Sequence, residues 1–186
     1  MEAGALIRQS TKTCTMGFHV TIGGDEQFLS AGHCGYGSST LWSMTNYGVI
    51  GSEQGNLFAP YGDDVMKVQM GDSQASEWIY GSTALVGGYR APIYGEAICA
   101  SLGVSNFIDC GTVSDDFKGY NISGDWGTYY VYGGDGSGLA VGGGDSGSPV
   151  YVRSGSQAIG IGVISTTGQE YGLLSETLPI WGATLV

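Results

Sequence analysis

Ser146 stands in Gly142-Gly143-Gly144-Asp145-Ser146-Gly147-Ser148-Pro149, and the apolar run Val150-Tyr151-Val152 follows at once. Clustered glycines ahead of such a run predict a tight loop entering a buried strand. Without Cβ atoms, consecutive N–H groups can converge on one point. A hydroxyl beside converging N–H donors suits acyl transfer, which needs an attacking oxygen and a cradle for the oxyanion that forms. A glycine-rich hairpin with an incidental serine has the same local signature, so the reading turns on finding a base and an orienting acid.

The chain has two histidines. His33 lies in Ala31-Gly32-His33-Cys34-Gly35, directly after an apolar strand, where a bridged Cys34 would anchor the backbone of a general base. His19 lies in Phe18-His19-Val20-Thr21-Ile22, whose alternation predicts a solvent-facing strand position. Two histidines and no HExxH pattern leave a zinc site unexpected, and no metal or cofactor is called for. The acid is expected where a loop enters a strand, and Asp64 abuts Val65-Met66-Lys67-Val68. Its neighbour Asp63 is the alternative, and an Asp pair in a turn or half of a calcium site is the structural one.

The elements that must hold these groups are β-strands. Glycine is very frequent, at 35 of 186 residues, while charged residues make up only 12%. No stretch sustains a helical period, and short β-rich runs recur between Gly, Ser, Asn and Asp clusters. Hairpins are expected around Gly23-Gly24 and Thr45-Asn46, with further strands at 65–70, 96–101, 109–114, 128–132, 148–152, 158–165 and 171–175. A short helix is expected in Ser175 to Trp181, capped by Ser175 with Pro179 early. The reading is a single all-β domain over 1–186, its halves meeting somewhere in 72–90, as two small barrels with a cleft between them.

A net charge of −11 argues against phosphate-mediated nucleic-acid binding. No apolar run reaches the roughly 18–20 residues of a membrane span. Met1-Glu2-Ala3-Gly4 lacks a signal-peptide pattern, which is the expectation for a mature form. Cys14, Cys34, Cys99 and Cys110 contain no CxxC pair and allow three pairings. The local one, Cys14–Cys34 with Cys99–Cys110, closes one modest loop in each half. Bridged cysteines imply an oxidising compartment and secretion.

Taken in order, Ser30-Ala31-Gly32-His33-Cys34, Asp64-Val65-Met66 and Gly144-Asp145-Ser146-Gly147-Ser148-Pro149 resemble the three signature blocks of the chymotrypsin-like serine proteases. Cys14-Thr15-Met16-Gly17-Phe18, Cys99 to Cys110 with Gly111-Thr112-Val113, and Leu178-Pro179-Ile180 are similar to the short bacterial branch of α-lytic protease and streptogrisin. The resemblance runs from about residue 14 to the C-terminus. It implies two six-stranded antiparallel β-barrels, at about 1–80 and 81–186, with a short C-terminal helix and the site in the inter-barrel cleft. It implies a secreted, monomeric endopeptidase made with a removable pro-segment and acting on proteins or peptides through an acyl-enzyme. Ser146 would be the nucleophile, His33 the base and Asp64 its partner. The N–H groups of Gly144 and Ser146 would form the oxyanion hole, and Ser165 would support Asp64.

The same mapping puts the specificity pocket between Ala140, Val141, Gly142 and Gly143 on one side and Ile164, Thr166 and Thr167 on the other. With no carboxylate or histidine placed there, and Val141 and Ile164 apolar, the expected P1 residues are apolar. Several positions depart from the family. Ser148 replaces a glycine, Thr166-Thr167 replace glycines that pair with substrate, and Ala140 occupies a cysteine position. Ala100 stands where an arginine neutralises the aspartate beside the serine, so Asp145 is expected to find another cation, Arg90 or Arg153. There is no Ile-Val-Gly-Gly start to insert beside Asp145. The alternatives are a catalytically silent module of the same fold that binds without cutting, and a glycine-rich β-sandwich lectin.

Overall fold

The structure, a computed structural model, describes residues 1–36, 41–58, 62–71, 75–124 and 126–186. The first half supplies seven strands: Leu6–Gln9 (β1), Lys12–Thr15 (β2), His19–Ile22 (β3), Asp25–Ser30 (β4), Leu41–Met44 (β5), Gly48–Asn56 (β6) and Met66–Met70 (β7). The second supplies Leu85–Tyr89 (β8), Ala97–Leu102 (β9), Phe107–Gly124 (β10), Gly127–Ser137 (β11), Pro149–Ser154 (β12), Gln157–Ile164 (β13) and Glu170–Leu173 (β14). Gly32–Gly35 forms one helical turn (α1), Leu174–Trp181 a helix (α2), and Thr184–Leu185 a last strand (β15).

Two sheets result. The first runs β15-β3-β4-β7-β6-β5-β1-β2, so the C-terminal strand crosses back to pair with β3. The second runs β12-β9-β10-β11-β14-β13-β8 and is closed by β12–β13 pairing into a six-stranded barrel. β8 lies outside that ring, parallel to β13. Closure removes free edges that would otherwise template association. This is the all-β, chymotrypsin-like architecture that the residue pattern leads one to expect, with its short C-terminal helix.

Alternation fixes the cores. Ile7, Met16, Phe28, Trp42, Ile50 and Met66 fill the first sheet, and Ile98, Leu102, Val150, Ile161, Ile164 and Tyr171 fill the second. A third cluster, including Phe18, Leu29, Val65, Tyr151, Val163 and Leu174, draws on strands of both sheets and on α2. That shared core fixes the two halves against each other.

Three local expectations are revised. β10 and β11 are far longer than 109–114 and 128–132, because register shifts near Asp115 let the ladder continue past polar residues that read as punctuation. α2 begins at Leu174 with no side-chain cap, and Pro179 lies in its interior rather than early. His19 is not solvent-facing but 1% exposed, and the N-terminus at Met1 lies close enough for its charge to act on the ring.

Candidate active site

His33 lies on α1, the turn that follows β4. Its backbone N–H donates to Asp64 Oδ1 at 2.7 Å, and its Nδ1 lies 2.8 Å from Asp64 Oδ2. Asp64 is fully buried, and Ser165 Oγ donates to the same Oδ2 at 2.5 Å. A carboxylate in this setting only accepts, and three donors from two segments hold it. On the other face of the ring, His33 Nε2 lies 3.1 Å from Ser146 Oγ. Residues 33, 64 and 146 therefore meet in one line of hydrogen bonds although 113 positions separate the first from the last. Asp63, the alternative acid, points elsewhere and receives the Thr177 hydroxyl.

The serine loop is pinned from both sheets. Thr15 N–H donates to the Ser146 carbonyl at 2.8 Å, and Thr15 Oγ1 to the Gly144 carbonyl at 3.0 Å. Gly147 N–H donates to Ile164 O at 2.7 Å, and Ile164 N–H returns to Ser148 O at 2.9 Å. Gly147 has φ +94°, and a Cβ there would fall onto Ser30 Oγ and the Thr15 carbonyl oxygen. Gly144 has φ +95°, with Val104 Cγ2 only 2.6 Å from the position of a Cβ. Only glycine fits such positions without backbone movement. Among the described residues, the N–H groups of Gly144 and Ser146 donate to no protein acceptor. Two unspent donors beside the serine oxygen suit an anion.

Asp145 is fully buried, and the arginines expected beside it are elsewhere. Arg90 forms a two-point pair with Glu96, at 2.8 and 2.5 Å, and Arg153 reaches Thr83. Neutral donors serve Asp145 instead. Val104 N–H and Ser105 N–H reach Oδ1 at 2.9 and 3.3 Å, while Ser105 Oγ and Gly142 N–H reach Oδ2, both at 2.9 Å. Four polar donors satisfy a buried carboxylate without a counter-ion. The sequence held little sign of this role for Val104 and Ser105, because it depends on where the β9–β10 turn lands.

A cavity of about 340 Å³ opens at His33 and Ser146, bounded by Gly144, the Cys14–Cys34 disulfide, Lys12 and Trp126. Cys99–Cys110, the other bridge, joins directly paired residues of β9 and β10. Trp126 comes from the tip of the β10–β11 hairpin and packs edge-on against Phe58 and Tyr36, while Tyr129 Oη lies 2.8 Å from Tyr36 Oη. The hairpin thereby reaches across to the first sheet. Trp126 was not among the residues expected at the site; an aromatic residue between Gly124 and Gly127, just ahead of a strand run, was its only signal.

The seven expected pocket residues stand apart from that cavity. Ile164 is buried in the barrel core, and Val141 packs against the same cluster. Ala140 N–H donates to the Asp109 carboxylate at 2.5 Å, so a carboxylate does border this wall. Thr166 donates its hydroxyl to Glu170, which also receives Lys118 at 3.3 Å. Burial pushes Glu170 up, but the Thr166 and Lys118 hydrogen bonds outweigh it and hold the carboxyl below its ordinary range. Gly142, Gly143 and Thr167 lie at or near the surface. Gln169, at φ +76°, ties the two walls together, its Oε1 accepting from Leu139 N–H at 2.9 Å.

No family model matches the chain. Glutamyl endopeptidase 2 of Streptomyces griseus is 29% identical over 191 positions, covering 98% of this chain and 97% of that protein. The crystal structure of Nocardiopsis protease (NAPase) superposes with a TM-score of 0.78 at 26% identity, over 99% of this chain and 97% of that one. A glutamic acid-specific serine protease, described as using a histidine triad in substrate binding, shares the fold with a TM-score of 0.77 at 22% identity and full coverage of both chains. Likeness of this extent, over an architecture that brings His33, Asp64 and Ser146 together, marks the chain as a chymotrypsin-fold serine endopeptidase that resembles the bacterial α-lytic protease and streptogrisin branch.

Proposed function

We propose that the protein cuts peptide bonds through a His33–Asp64–Ser146 triad and an acyl-enzyme, as a secreted, monomeric enzyme released from a pro-segment. The observation that carries this reading is the continuous line from Asp64 Oδ2 through His33 to Ser146 Oγ, at 2.8 and 3.1 Å. With Nδ1–H directed at Asp64, the ring offers Nε2 as the acceptor for the serine proton. Ser146 Oγ attacks the scissile carbonyl as His33 takes that proton. The developing oxyanion is met by the N–H groups of Gly144 and Ser146. His33 then gives the proton to the leaving amine, and water repeats the sequence on the ester. Ser165 and the His33 backbone N–H hold Asp64 in place for both transfers. Two disulfides support secretion, and among the described residues no helix is long and apolar enough to cross a membrane.

For P1 we propose an apolar residue. Val141 is apolar and partly exposed, Ile164 backs it from within the barrel core, and Asp109 and Glu170 lie on the flanking segments, where a P1 carboxylate would meet like charge. The glutamate-specific relative is described as relying on a histidine triad. This chain has two histidines, one in the catalytic line and one buried on β3, so that route to glutamate is closed. Treatment with a fluorophosphonate should place one adduct on Ser146, absent in His33→Ala. Folded wild-type protein that takes no adduct would show a silent binding module instead. A panel of peptide amides should be cut fastest after apolar residues, and fastest cutting after Arg or Glu would overturn the P1 assignment.

A further inference from the structure

A second cavity, of about 180 Å³, is lined by Gly62, Asp63, Phe117, Tyr132, Glu176 and Ile180. It lies where the loop entering β7, the β10–β11 hairpin and α2 meet. Asp63 is 9% exposed, and its Oδ1, shut off from solvent, has no hydrogen-bond partner. Its Oδ2 contacts Thr177 Oγ1, which also lies 2.8 Å from the Leu173 carbonyl. The one hydroxyl hydrogen of Thr177 is shared between these two acceptors, so it satisfies Asp63 Oδ2 only in part. Burial raises Asp63 to about 7 against the Thr177 hydrogen bond, with Asp64 and Glu176 adding to the rise. The titratable groups that face it are Asp64 on its own loop, Glu176 on α2, and Tyr120 and Tyr132 on the hairpin. Among the described residues, no Lys or Arg pairs with Asp63 or Glu176. Phe117 and Tyr132 stack with ring centres 5.7 Å apart and planes within 4°, and both are about half exposed.

We propose that this cavity binds an organic monocation, a guanidinium or primary ammonium group on an alkyl stem. Asp63 and Glu176 supply the counter-charge, and the Phe117–Tyr132 pair supplies an apolar and cation–π wall. Two carboxyl groups and flat aromatic faces about one cavity complement that chemistry together. A bare metal ion would gain nothing from the rings, and among the described residues no three His, Cys, Asp or Glu gather to ligate one. The site is separate from the cleft, whose cavity shares none of these lining residues. Because Asp63 holds a proton when the cavity is empty, cation binding releases it. The same head group is carried by a free alkylguanidine and by an arginine or lysine side chain.

The test uses the full chain with Ser146→Ala, so that no peptide is hydrolysed and the result does not depend on the catalytic reading. Calorimetric titration compares butylguanidinium, neutral butyramide, magnesium ion and acetyl-Gly-Arg-Gly-amide. Butylguanidinium should bind one to one, with butyramide and magnesium about tenfold weaker or more. At pH 6, in buffers of different ionisation enthalpy, binding should release close to one proton, falling toward none at pH 8.5. Asp63→Asn should weaken binding about tenfold, with smaller losses in Glu176→Gln and Phe117→Ala, whose side chains are exposed and leave the fold intact. Binding of the peptide as tight as that of butylguanidinium assigns the site to polypeptide side chains; exclusion of the peptide assigns it to free cations. Equal binding of butyramide, no proton release at pH 6, or binding unchanged in Glu176→Gln and Phe117→Ala would overturn the proposal.

Discussion

The nucleophile's geometry rests on residues that never touch substrate. Asp145 must hold the loop that carries Ser146, and it does so with four neutral donors where a cation was expected. Ser105 Oγ is the one side chain among them. Its removal leaves a buried carboxylate oxygen with a single donor, Gly142 N–H, at a cost of about 1.5–3 kcal/mol. Ser105→Ala should therefore lower the urea midpoint and, by loosening the loop, reduce kcat more than it raises KM. An unchanged midpoint would show that water replaces the hydroxyl. Gly147→Ala is expected to be harsher, because the strained φ and the contact with the Thr15 carbonyl act together. A loss of at least about 2 kcal/mol and of Ser146 labelling should follow. Full labelling would mean that the Thr15–Ser146 contact can open without cost.

At the scale of elements, the β10–β11 hairpin decides how the cleft is bounded. Its tip carries Trp126 onto Phe58 and Tyr36, and Trp126 borders the cavity at His33. Trp126→Ala removes a wall rather than a reacting group. KM should rise several-fold with kcat nearly unchanged, and stability should fall by about 1–3 kcal/mol for the lost aromatic contacts. A fall in kcat with KM unchanged would place Trp126 in the chemistry instead. Elements also set how far the sequence could be read. The blocks around His33, Asp64 and Ser146 were legible because chemistry constrains short neighbouring residues, and strand runs such as Leu41–Met44 because alternation is local. The extent of β10 was not, since Asp115 and Asp116 read as a turn and the ladder absorbs them with shifted register. His19 was misread for a related reason: alternation gives the face of a strand, but not that the N-terminus at Met1 comes to lie beside it. The partners of Asp145 stayed hidden because a backbone N–H leaves no mark in the residue type.

At the scale of the whole molecule, two buried ionisable groups outside the catalytic line set opposing slopes of stability with pH. His19 is lowered from 6.5 to about 4, by burial first and by the charge of the N-terminus second. Neutral in the folded chain, it contributes stability that is complete above pH 6.5 and lost as pH falls toward 4, in all about 3 kcal/mol. Asp63 is raised from 3.8 to about 7, so its contribution is complete below pH 3.8 and lost as pH rises to 7, in all about 4 kcal/mol. Between pH 4 and 6.5 each changes stability by about 1.4 kcal/mol per pH unit, in opposite directions, so together they leave it nearly flat. Asp63→Asn breaks the balance on one side. An amide oxygen can accept the Thr177 hydroxyl as the carboxyl oxygen does, yet the group never ionises. The other carboxylates are common to both proteins and cancel in the difference. Urea unfolding of variant and wild type should agree below pH 4. The variant should then gain steadily, by about 1.4 kcal/mol per pH unit, and level off near pH 7. A constant difference across that range would show that Asp63 folds already ionised. The proton released on cation binding would then fail with it.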